Sequence, residues 1–161
     1  MLLFGQEVII QIAISLLGFS GFLVARHIYK HKHSEENPLV CPVRFDCATV
    51  VHSDYSKFMG MPVEFLGMFY YAFISFFYLA FLFMPYAMPN FLVGFMALIS
   101  LVGFLFSIYL IAVQIFILKK GCSWCFVSAF ICILIFSLTL FAYDFSYLAF
   151  VFEIGNIRLF T

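Results

Sequence analysis

Charge is what this sequence has least of. Its 161 residues include eight Lys and Arg and eight Asp and Glu, 10% in all, against 66% hydrophobic residues. A soluble domain of this length needs far more polar surface, so that class is excluded. A mean hydropathy of +1.14 makes the chain an integral membrane protein. The formal net charge is zero and the basic segments are short, so no field draws the chain to nucleic acid. A basic leader is missing too. Met1-Leu2-Leu3-Phe4 offers no positive n-region, and no A-x-A-like cleavage site follows, so the first apolar run is expected to be retained. Neither end carries a lipidation motif.

What the sequence does have is four apolar stretches long enough to cross a bilayer, which takes about 20 helical residues. They run from about Val8 to Ile28, Pro62 to Met84, Phe91 to Leu118 and Ser123 to Tyr143. The third is long enough to tilt or to extend past the hydrocarbon. Pro85 and Pro89 bracket the connection between the second and third spans. Residues 144–161 are apolar but broken by Asp144, Glu153 and Arg158, and fit either a continuation of the fourth helix or an interfacial run. The expected fold is an all-α membrane protein, a four-transmembrane-helix bundle in a single domain over residues 1–161, with a cysteine-bearing loop between helices 1 and 2.

Four spans put both termini and the 85–90 connection on one side of the membrane. The 29–61 loop and the Lys119-Lys120-Gly121 turn fall together on the other. The loop carries Cys41 and Cys47, and the turn leads into Cys122 and Cys125, so four of the five cysteines converge on one membrane face. The same face holds Arg26, Lys30, Lys32, Arg44, Lys57, Lys119 and Lys120, with Arg158 alone opposite. By the positive-inside rule that distribution places the cysteines in the cytoplasm.

Cys122 opens a helix, where unpaired backbone N–H groups and the helix dipole favour an anion. Lys119 and Lys120 add positive charge, so the thiol pKa should fall and the thiolate needed for disulfide exchange should rise. Cys125 lies one turn deeper on the same face. A relay follows: Cys41 and Cys47 take electrons from a soluble dithiol protein and pass them to Cys122 and Cys125. A two-electron acceptor dissolved in the bilayer, of which quinone is the obvious one, then takes them. The alternative is a non-catalytic membrane protein, its cysteines in structural disulfides or a four-Cys metal site. A bare C-x-x-C is a common pattern, although the five-residue gap from Cys41 to Cys47 is wider than a usual zinc knuckle.

Other residues have plainer expectations. Cys132, inside an apolar helix, reads as a small packing residue. His27, His31 and His33 alternate with basic residues and read as a solvated juxtamembrane stretch. Glu64, just after Pro62, complements the dipole at a helix start, with a part in proton transfer as its second possible role. Gln114 is polar within a span and serves a helix–helix or a ligand contact.

The run Cys41-Pro-Val-Arg-Phe-Asp-Cys47, with Ser53, Tyr55, Gly60-Met-Pro62, Gly67, Tyr71 and the later Cys122-Ser-Trp-Cys125, closely resembles the bacterial form of the vitamin K epoxide reductase family. The likeness spans all four expected helices. It implies a bundle enclosing a quinone, ubiquinone or menaquinone, beneath the loop cysteines. It further implies that Cys125 reacts with the quinone, Cys122 exchanges with Cys47, Cys41 engages the partner, and Ser53 sits near the quinone head group. Such an enzyme is a thiol:quinone oxidoreductase with no metal. Animal members carry Asn and Tyr at the positions of Val63 and Ala129, so quinone reduction is expected here rather than epoxide reduction. Some bacterial relatives are fused to a thioredoxin-like domain. This chain ends soon after helix four, so its partner is expected to be a separate thioredoxin-fold thiol protein. The resemblance places the chain in the plasma membrane of a bacterium or archaeon. It favours an extracytoplasmic cysteine face, whereas the Lys/Arg distribution favours the inverted orientation.

Overall fold

The computed structural model describes residues 2–34, 39–42, 45–84 and 90–143. Segment 144–161 and the prolines Pro85 and Pro89 lie outside the described residues. The four expected spans are present as helices long and apolar enough to cross a membrane. Helix α1 (Leu2–Lys32) is longer than the expected 8–28 stretch, continuing through His27, Lys30 and His31 to Lys32. Basic residues in a last helical turn complement its dipole and let the helix run past the hydrocarbon. A short helix, α2 (Cys47–Val51), and a single 3-10 turn (Asp54–Ser56) follow in the loop.

The loop then reverses in a two-stranded hairpin, β1 (Lys57–Phe58) against β2 (Met61–Pro62), with Lys57 opposite Pro62 and Phe58 opposite Met61. Its two-residue turn needs positive φ at both positions, as type I′ turns do. Met59 at 51° and Gly60 at 84° provide it. Pro62, at φ −65°, leads into α3 (Val63–Phe83). Helix α4 (Asn90–Ala112) passes into a π-helical segment, Val113–Leu118, which ends at Lys119 in the left-handed region (φ 50°). The expected 91–118 span is therefore one membrane crossing of two helical kinds. Helix α5 (Ser123–Tyr143) closes the bundle.

Helices α1 and α3 pack most closely, and small residues allow it. A Cβ on Gly18 would stand 3.1 Å from the backbone nitrogen of Ser75. Ser15 Oγ donates to the Ser75 carbonyl at 3.3 Å, and Ser75 Oγ donates back to the Ser15 carbonyl at 3.0 Å. Between membrane helices, lipid removes the hydrophobic drive to associate, so close backbone approach and polar pairs of this kind hold them. One core cluster gathers Ile14, Ala25, Tyr71, Ile74, Tyr78, Met96, Ile131 and Ile135 in the bundle. A second joins Ile28, Leu39, Cys47, Val50, Val51 and Cys122 beneath the loop.

Candidate functional site

Two short segments carry the cysteines to one place, and each is held by its own local chemistry. Asp46 caps α2, accepting the Thr49 N–H at 3.2 Å and the Thr49 hydroxyl at 2.8 Å. These bonds, with Lys120 after them, hold the Asp46 carboxyl below its usual pKa. Lys120 Nζ reaches Asp46 Oδ2 at 3.1 Å and so ties the 119–121 turn to the loop. Gly121 lets the Phe45 ring come close to it, since a Cβ there would lie 2.7 Å from that ring. Cys47, the first residue of α2, is buried, and Cys41 is half-buried and bonded to it in a disulfide with Cα atoms 5.8 Å apart.

Cys122 caps α5. Its carbonyl accepts the Phe126 N–H at 3.0 Å and its sulfur accepts the Cys125 N–H at 3.4 Å. Its own N–H donates to Gln114 Oε1 at 3.3 Å, and Gln114 also lines the cavity described below, so both contacts foreseen for it stay open to it. Cys122 is a free thiol and fully buried. A hydrogen bond from the Cys125 thiol, then those from the Cys125 and Trp124 N–H groups, lower its pKa against the opposing effect of burial. The direction is the one expected, and the helix start contributes as expected. Lys120 is engaged by Asp46.

The sulfurs of Cys41, Cys47 and Cys122 lie within 4.8 Å of one another. Ser123 Oγ also donates to Cys41 Sγ at 3.2 Å. Two of those sulfurs are joined in the loop disulfide, and the third, Cys122, stands beside it as a free thiol. Cys125, half-buried, lies one turn further along α5 and belongs to the wall of a cavity of about 440 Å³.

That cavity is lined by α1, α3, α4, the π segment and α5, together with loop residues Val50, Val51, Ser53, Tyr55 and Ser56. Ser53 takes part in the wall, its hydroxyl donating to the Val50 carbonyl at 2.7 Å. Val63 and Ala129 line the cavity as well. The lining is mainly apolar, as in sites for small organic ligands. Tyr70 adds a buried hydroxyl to the wall, beside Cys132. A flat, apolar ring with two carbonyl oxygens fits such a space, because it needs apolar walls and one or two donors.

Some residues stand elsewhere than expected. His27 is not simply solvated: its ring packs on Trp124, inside the C-x-x-C, with centroids 4.6 Å apart. Glu64 accepts from Lys32 Nζ at 3.3 Å through both carboxylate oxygens, so an ion pair joins its helix-start position. Cys132 packs in the core as expected, 3.1 Å from the Tyr71 hydroxyl. The pairing of Lys32 with Glu64 had no signal in the sequence, since the two lie 32 residues apart.

Residues 9–140 match the model of the Vitamin K epoxide reductase family. No curated protein matches the chain.

Proposed function

Because this chain belongs to the vitamin K epoxide reductase family, whose members are membrane thiol–disulfide oxidoreductases that use quinones, we propose that it oxidises a thioredoxin-fold dithiol protein and reduces a membrane quinone. The observation that carries this reading is the double placement of one motif. Cys122 lies within 4.8 Å of the loop disulfide sulfurs, while Cys125, one turn away, is part of the cavity wall.

The order of events follows from those positions. The partner's thiolate attacks the Cys41–Cys47 disulfide at Cys41, the less buried sulfur, and the partner leaves oxidised with both loop cysteines reduced. Cys47 then attacks the Cys122–Cys125 disulfide at Cys122, and closure by Cys41 restores the loop disulfide. Two electrons and two protons have now reached Cys122 and Cys125. A quinone supplies a two-electron, two-proton acceptor. Cys125 would present its thiol to the head group, with Ser53 and Tyr70 as polar wall groups and Val63 and Ala129 as apolar ones. The acceptor is ubiquinone or menaquinone, and Val63 and Ala129 favour a plain quinone over an epoxide. The cysteine face belongs on the extracytoplasmic side of a bacterial or archaeal plasma membrane, where disulfides form and persist.

The test uses purified protein, a soluble quinone and a reduced thioredoxin-fold protein. Cys125→Ser should abolish quinone reduction, read from quinone absorbance. Cys41→Ala should block oxidation of the protein partner while small dithiols still reduce the Cys122–Cys125 pair. Thiol oxidation that survives both Cys122→Ala and Cys125→Ala would refute the reading and favour structural disulfides.

A further inference from the structure

Two ion pairs stand near the cysteines, and they differ in kind. Lys120 and Asp46 are exposed, at 52% and 38% of their side chains, whereas Lys32 and Glu64 retain only 9% and 8%. Burying two charges costs more than an exposed pair does, and their mutual attraction often fails to offset it. An ion pair kept buried at the ends of α1 and α3 in spite of that cost points to a use beyond stability. Glu64 is at the start of α3 and lines the cavity beside Ser56 and Val63. Among the described residues that line this cavity it is the sole carboxyl group, and Cys125 is in the same wall. Lys32, at the end of α1, also donates to Ser56 Oγ at 3.1 Å, so the pair joins the cavity to the polar loop.

We propose that Glu64 is the proton relay of the thiol pair, carrying protons from Cys122 and Cys125 into the cavity while Lys32 holds its charge in place. This rests on the thiol:quinone reading. Forming the Cys122–Cys125 bond releases two electrons and two protons, and the quinol produced contains both of each. Glu64 acts once per thiol. As a carboxylate it takes a thiol proton, and as a carboxylic acid it gives that proton up at the cavity face. Each cycle returns it to the carboxylate paired with Lys32. Lys32 from α1 bonds both Glu64 and Ser56 of the 3-10 turn, Cys125 of α5 shares the cavity wall with Glu64, and the Glu64 charge opposes ionisation of Cys122.

Two variants separate a relay from a structural tie. Glu64→Gln removes the exchangeable proton, and Lys32→Gln/Glu64→Gln replaces the ion pair by a neutral hydrogen-bonded pair that folds if the single variant does not. In either folded protein, quinone turnover should fall about a hundredfold, within the usual range of general acid–base assistance. Added formic or acetic acid should restore part of it. In reduced, quinone-free Glu64→Gln, thiolate absorbance should rise at lower pH than in the parent, since the opposing charge is gone. Turnover equal to the parent's in either variant would overturn the relay. So would a loss that small acids do not restore together with an unmoved thiolate titration. Cys125→Ser, run alongside, keeps the two ideas apart: if it still reduces quinone, the thiol:quinone reading itself fails.

Discussion

At Cys122 a thiol does the work that Ser, Asp or Asn usually does at the start of a helix, accepting the N–H of the third helical residue. The same bonds stabilise its thiolate. The Cys125 thiol is the largest contributor to the lowered pKa, which gives the pH dependence its sign. A depressed pKa means that thiolate is present at a pH where an ordinary cysteine is still protonated, and is lost only as the pH falls through the lowered value. In reduced protein, thiolate absorbance should therefore begin to rise below the pH of an unperturbed thiol. Cys125→Ala removes the principal donor and should move the Cys122 transition to higher pH. The helix start and the C-x-x-C were legible as this chemistry in the sequence. That Lys120 would be held by Asp46 was not, because the two are far apart in the chain.

At the scale of the elements, the contact of α1 with α3 depends on small residues as much as on apolar ones. Gly21 faces Tyr71, and a Cβ there would lie 2.5 Å from the Tyr71 ring. That ring has little room to move, because its hydroxyl donates to the Ser128 carbonyl of α5 at 2.6 Å. Gly21→Ala should accordingly destabilise the bundle by about 1–3 kcal/mol, the usual cost of overpacking, and lower the Tm in detergent. Gly5→Ala, where nothing lies within 4 Å, should cause no such loss. The helices themselves were legible from hydropathy and length. Their faces were not, because α1, α3, α4 and α5 are apolar all round and show no polar stripe to say which side packs. The π segment at Val113–Leu118 was hidden for a related reason: its residues are as apolar as those of the α-helix before it.

The whole molecule turns a separation in sequence into a separation by depth. The loop disulfide covers Cys122, Cys122 stands next to Cys125, and Cys125 opens on the cavity, so the sulfurs run from the aqueous side inward. Orientation belongs to this scale as well. If the cysteine face is extracytoplasmic, a membrane-impermeant thiol reagent applied to intact, reduced cells should label Cys41. Labelling only after the cells are opened would establish the inverted orientation suggested by the Lys/Arg distribution. That distribution was plain in the sequence; its meaning was not, since the family resemblance and the charge rule point in opposite directions.

Hydropathy and the count of spans are local properties, and they were enough to determine a four-helix membrane protein with four cysteines on one face. Spacing was enough to mark Cys122 as a helix-start thiol. Proximity across the bundle is a different quantity. The contact of Cys122 with the loop disulfide, the burial of Lys32 with Glu64, the packing of His27 on Trp124 and the cavity beside Tyr70 each need side chains from different elements. Only the tertiary structure decided these, because uniformly apolar helices can rotate about their axes without changing any signal in the sequence, and the small residues and buried polar contacts select one rotation.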